Sequence, residues 1–91
     1  MDIYVNIVNS IIKEQTSIIG PLALSQARKV EGIGISDSNA ITIRGDQKHV
    51  LEDLVHQYEL LFGRASIEVC RDAVREVKPT IPNDMLPDIL K

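Results

Sequence analysis

The chain has 91 residues, of which 44% are hydrophobic and 25% charged, with a net charge of −3. A domain of that size buries roughly 60–65% of the surface its unfolded form exposes, enough for one core without metal or disulfide. An aromatic content of 3% and a pI near 5.2 argue against stacking platforms for bases or sugars and against a strong polyanion binder.

Mean hydropathy near zero fits a soluble globular protein. Cys70 is the only cysteine, so no disulfide closes within the chain. Met1 to Asn6 lack the basic and apolar regions of a signal peptide. No stretch approaches the roughly 18–20 apolar residues of a membrane span. Cytoplasmic residence is expected.

All five glycines fall at breaks between periodic segments, where they punctuate rather than weaken an element. Over residues 3–18, Tyr4, Val8, Ile11 and Ile12, followed by Ile18 and Ile19, recur on one helical face. Ile3, Val5 and Ile7 also alternate as a strand would, but the longer period favours helix. Gly20-Pro21 ends that helix. Pro21 suits the first position of a second, over 21–30, that closes at Gly32.

Residues 33–44 change period. Ile33 and Ile35 alternate, Ser36-Asp37-Ser38-Asn39 form a turn, and Ile41 and Ile43 alternate again, which predicts a β-hairpin. Asp46 is a good N-cap for a third helix carrying Val50, Leu51, Leu54, Val55, Tyr58, Leu61 and Phe62 as its apolar stripe, up to Gly63. A fourth helix is expected over 65–77, with Ile67, Cys70, Val74 and Val77 on one side and Val69 and Ala73 beside them. Lys78-Pro79 stops it. The expected fold is α+β, mainly helical with about four helices, with one hairpin at about 33–44. Residues 1–78 form a single domain, and 79–91 a docked tail holding Pro79, Pro82 and Pro87.

Two polar constellations are candidates for chemistry. On the third helix, His49, Glu52, Asp53 and His56 lie on neighbouring turns, where imidazole and carboxylate could share a zinc ion. The same residues lie opposite the apolar stripe, where a solvated helix face needs polar groups, and the chain has no HExxH. Arg64, Arg71, Arg75 and Lys78 follow one face of the fourth helix and are candidate anion contacts. Glu68, Asp72 and Glu76 occupy the adjoining row and would cancel their field through local ion pairs. Cys70 falls on the apolar side and reads as a buried, inert thiol. Motifs for nucleotide binding and common hydrolases are missing: there is no GxGxxG, GxxxxGK[ST], GxSxG or CxxC. Arg44-Gly45-Asp46 matches an adhesion tripeptide, but it marks a strand–helix junction in a chain expected inside the cell.

The run Ala40-Ile41-Thr42-Ile43-Arg44-Gly45-Asp46-Gln47-Lys48-His49-Val50-Leu51-Glu52-Asp53-Leu54, extended to residue 62, resembles the last strand and helix of a KH-type RNA-binding module. The resemblance implies a short strand ending in Gly-Asp and a long helix packed back over a sheet. A KH module clamps the nucleic-acid backbone with a GxxG loop, which this chain lacks.

The leading expectation is a small non-catalytic interaction or regulatory module that self-associates as a dimer or binds another protein, with no cofactor. The apolar residues expected at the interaction surface are Ile41, Ile43, Leu51, Leu54, Tyr58, Phe62, Met85 and Leu86. RNA binding through the KH-like unit is the alternative, and a metal-dependent enzyme using His49, Asp53 and His56 the second alternative.

Overall fold

Helix α1 (Ile3–Ile19) buries Ile7, Val8, Ile11, Ile12 and Gln15, the face that the 3.6-residue period predicts. It ends at Gly20, whose φ of 68° suits glycine, with its N–H donated back to the Thr16 carbonyl at 2.9 Å. The computed structural model describes residues 3–36, 38, 40–78 and 80–91.

Helix α2 (Leu22–Ala27) is shorter than the periodicity suggests. The next two N–H groups, of Lys29 and Val30, bond three residues back, to Gln26 and Ala27, so the chain tightens into turns. The tightening lets Val30 turn inward while Arg28 and Lys29 stay in water. Gly32 then takes a φ of 95° beneath α3. A Cβ there would stand 2.7 Å from Val50 Cγ2 and 2.8 Å from the Arg44 carbonyl oxygen, so this close approach admits glycine alone.

Strands β1 (Ile33–Ile35) and β2 (Ile41–Ile43) pair antiparallel, with Ile33 opposite Ile43, Gly34 opposite Thr42 and Ile35 opposite Ile41. The four isoleucines therefore share one face, and that face lies on the core. The other face holds only Gly34 and Thr42, where a Cβ on Gly34 would meet Thr42 Oγ1 at 2.5 Å. Ser36 closes the turn by accepting from the Ala40 N–H on its hydroxyl and donating its own N–H to the Ala40 carbonyl. Asp37 and Asn39 of the predicted turn, and Pro79, lie outside the described residues.

Helix α3 (Gln47–Phe62) starts where Asp46 accepts hydrogen bonds from the N–H groups of Lys48, at 3.1 Å, and His49, at 3.3 Å. Gly63, at a φ of 73°, closes α3 and opens helix α4 (Arg64–Glu76) without an intervening loop. Helix α4 runs antiparallel to α1. Near one end Ser10 Oγ donates to the Ala73 carbonyl at 2.8 Å, and near the other Gln15 Nε2 donates to the Ser66 carbonyl at 3.2 Å. Gln15 also reaches Cys70 Sγ at 3.6 Å, which satisfies a buried amide with groups from one neighbouring helix.

The tail folds onto this body as two 3₁₀ turns, Asn83–Met85 and Asp88–Leu90. Its Ile81, Leu86 and Leu90 belong to the same core as α1, α3 and α4. Three elements tie its backbone. Tyr4 Oη donates to the Met85 carbonyl at 2.7 Å, Lys48 Nζ to that of Asp84 at 3.2 Å, and Arg71 Nε to that of Ile89 at 3.1 Å. The result is the mainly helical α+β fold that the sequence predicts, with four α-helices and one hairpin among the described residues. Among them, no helix is long and apolar enough to cross a membrane.

Candidate functional site

The apolar residues expected at an interface divide sharply. Leu51, Leu54 and Tyr58 are wholly buried within the chain, and Leu86 nearly so, so they are core and not contact surface. The reason is the third helix's position between α2 and α4, which covers its stripe from both sides. Tyr58 shows how completely. Its hydroxyl donates to the Ala23 carbonyl at 2.6 Å, and burial raises its phenol well above the ordinary tyrosine range, with the nearby Cys70 adding to the effect. Ile41, Ile43 and Met85 are half-buried against the same core. Of the expected set only Phe62 stands exposed.

The polar constellation on α3 resolves into local pairs. His49 Nε2 lies 3.4 Å from Asp53 and its Nδ1 3.9 Å from Glu52, while His56, further along, pairs instead with Glu59 at 3.1 Å. Both imidazoles are solvent-exposed, so neither reaches Cys70. Among the described residues no group of three or more His, Cys, Asp or Glu side chains is placed to hold a metal ion. An open cleft of about 580 Å³ lies between the hairpin and the start of α3, bordered by Glu31, Arg44, Asp46, His49 and Asp53. Within that lining Asp46 caps α3, and His49 faces Asp53.

Two of the four cations along α4 are paired with its acidic row. Arg71 binds Glu68 and Arg75 binds Asp72, each at 2.7 Å, and Arg71 also holds the tail through Ile89. Arg64 and Lys78 remain exposed at opposite ends of the helix. Glu76 does not complete the ladder. It shares a hydrogen bond with Glu14 of α1, and that bond, reinforced by the carboxylate charge, raises the Glu14 carboxyl above its ordinary value. Cys70 is buried, and burial pushes its thiol up to about 11, against a smaller opposing effect from the Gln15 amide. At neutral pH the sulfur is a neutral core atom, not a nucleophile.

What the structure does assemble is an apolar pole. Tyr58 reaching Ala23, and Gln57 Nε2 donating to Gln26 Oε1 at 2.8 Å, lay α2 against the last turns of α3. Gln15 bonding Ser66 brings the end of α1 to the start of α4, just beyond Gly63. These joints gather the ends of α1 and α3 and the start of α2 at one end of the molecule. There Ile18 is 62% exposed, Leu22 50%, Leu60 81%, Leu61 49% and Phe62 40%.

The apolar stripe of the third helix leaves out Leu60. One signal was present. Three consecutive large apolar residues, Leu60-Leu61-Phe62, sweep about 200° of a helix, wider than the stripe of roughly 100° that one helix presents to a core. Comparison with protein-family models, with curated proteins and with solved structures yields no match to this chain, so its site is described from its own residues.

Proposed function

We propose that the chain is a small non-catalytic interaction or regulatory module of the cytoplasm that works by docking protein surface onto its apolar pole. The observation that carries this reading is the gathering of Ile18, Leu22, Leu60, Leu61 and Phe62 at one end of a chain whose core is otherwise closed. Scattered exposed aliphatics need no explanation, but large ones from three elements meeting at one pole mark an interaction site.

The test uses an apolar fluorescent dye at nanomolar protein. The native chain should brighten the dye, and Leu60→Gln should weaken the signal while the thermal midpoint moves by no more than about 4 °C, since Leu60 is 81% exposed. A native chain that leaves the dye dark would overturn the proposal.

A further inference from the structure

We infer that the seat of segment 80–91 on α1, α3 and α4 is a peptide-docking groove, with this segment as its resident, displaceable ligand. The partner that fits the groove is a peptide of the segment's own pattern, aliphatic residues separated by prolines and short turns. Each of the two 3₁₀ turns follows an aliphatic–proline pair, Ile81-Pro82 and Leu86-Pro87, and each is closed by a buried leucine, Leu86 and Leu90. The prolines preset the path between the buried positions, so little backbone freedom remains to be lost on docking.

The way the segment is held supports a docking groove. Three donors from three helices fix it, Tyr4 on α1, Lys48 on α3 and Arg71 on α4, and all three bond main-chain carbonyls. Every residue type presents a carbonyl, so these donors fix the path of a peptide and leave its polar side chains free to vary. Selectivity falls to the pockets that take Ile81, Leu86 and Leu90, the division of labour found in peptide-binding domains. Tyr4 and Lys48 stand near the starts of α1 and α3, the ends away from the apolar pole.

The segment is also built to come away. Its N–H groups of Met85, Leu86, Leu90 and Lys91 bond three residues back, within the segment itself. Among the described residues, none joins the backbone of another element. Its fit is loose as well: about 210 Å³ of space remains between the segment and α4, bordered by Val74, Val77, Ile81, Leu86 and Leu90. Close-packed interiors leave few voids larger than a water molecule, so a bulkier aliphatic side chain would gain contacts here. A segment with local hydrogen bonds and loose packing opens before the helices beneath it.

A fluorescent synthetic peptide of residues 80–91, followed by anisotropy against the full chain, tests the inference. In the native chain the tethered segment competes at an effective concentration in roughly the millimolar range, so the peptide should bind weakly. Leu86→Gln in the chain weakens the resident segment and should tighten peptide binding at least about tenfold, whereas Leu86→Gln in the peptide should remove binding. Amide exchange of the native chain needs no substitution. The Met85, Leu86, Leu90 and Lys91 amides should exchange together, at least about tenfold faster than those of Leu54 and Val74 in the helices. A Leu86→Gln chain that keeps its helicity yet binds the peptide no more tightly than the native chain overturns the inference. So does a substitution that unfolds α3 and α4 along with the segment, or a native segment that exchanges no faster than the core helices.

Discussion

Tyr58→Phe tests whether the third helix is held as described. The ring is wholly buried and its hydroxyl donates to the Ala23 carbonyl at 2.6 Å, the bond that joins α3 to α2. Phenylalanine keeps the ring and opens no cavity, so the loss is the hydrogen bond and the desolvated carbonyl left behind, about 1–1.5 kcal/mol. A 91-residue domain has a total stability of about 5–13 kcal/mol, and each kcal/mol moves its melting midpoint by about 4–8 °C. The expected shift is therefore about 5–10 °C downward, read by circular dichroism on thermal or urea unfolding. Tyr58→Ala removes the ring too, and should cost about 3–5 kcal/mol.

Alkaline pH adds an independent reading of the same burial. Cys70 and Tyr58 are neutral when protonated, and both have folded pKa values raised by burial above the unfolded ones. The native state therefore holds its protons longer, and their contribution is complete below the unfolded values and is lost as pH rises. For Cys70, raised from 9.0 to about 11, the loss runs over that window and amounts to about 3 kcal/mol. Tyr58 adds a further fall of about 1.4 kcal/mol per pH unit above about pH 10. Tyr58→Phe should keep the first phase and lose the second. A variant matching the native midpoint at neutral pH, with the same alkaline slope above pH 10, would refute a buried, hydrogen-bonded phenol.

Two further substitutions probe the joints that set the fold. Gly32→Ala places a methyl group against Val50 and the Arg44 carbonyl at a φ of 95°, and should cost about 3 kcal/mol. Gly20→Ala, at positive φ but with open space around it, should cost about 1 kcal/mol. Equal costs in urea unfolding would show that the close approach beneath α3 is absent. Asp46→Ala removes the cap of α3 and should cost about 1 kcal/mol, with faster amide exchange at Lys48 and His49, whereas Asp46→Asn should be nearly neutral. Unchanged exchange at those amides would show that the carboxylate does not cap the helix.

The residues of α3 show how far local pattern reaches. Asp46 as cap, Gly63 as stop and the buried positions Val50, Leu51, Leu54, Val55 and Tyr58 are all readable from spacing, because capping and periodicity act within a few residues along the chain. The hairpin register follows in the same way from two alternating pairs of isoleucines around a short turn. Helix α2 marks a boundary. Its periodicity continues to Val30, but the chain must pass Gly32 beneath Val50, and that long-range approach shortens the helix to Ala27.

Function-bearing surface is where local pattern stops. Leu54 and Leu61 sit one heptad apart on the same stripe, and by spacing alone they are equivalent. One is sealed and the other stands half in water, because the chain packs around Leu54 and leaves the end of α3 partly uncovered. The chain's order of elements, its caps and its choice of apolar faces are local properties, written in composition and period. Which of those faces stays uncovered depends on where distant segments come to rest, since burial is a property of neighbours in space rather than neighbours in sequence.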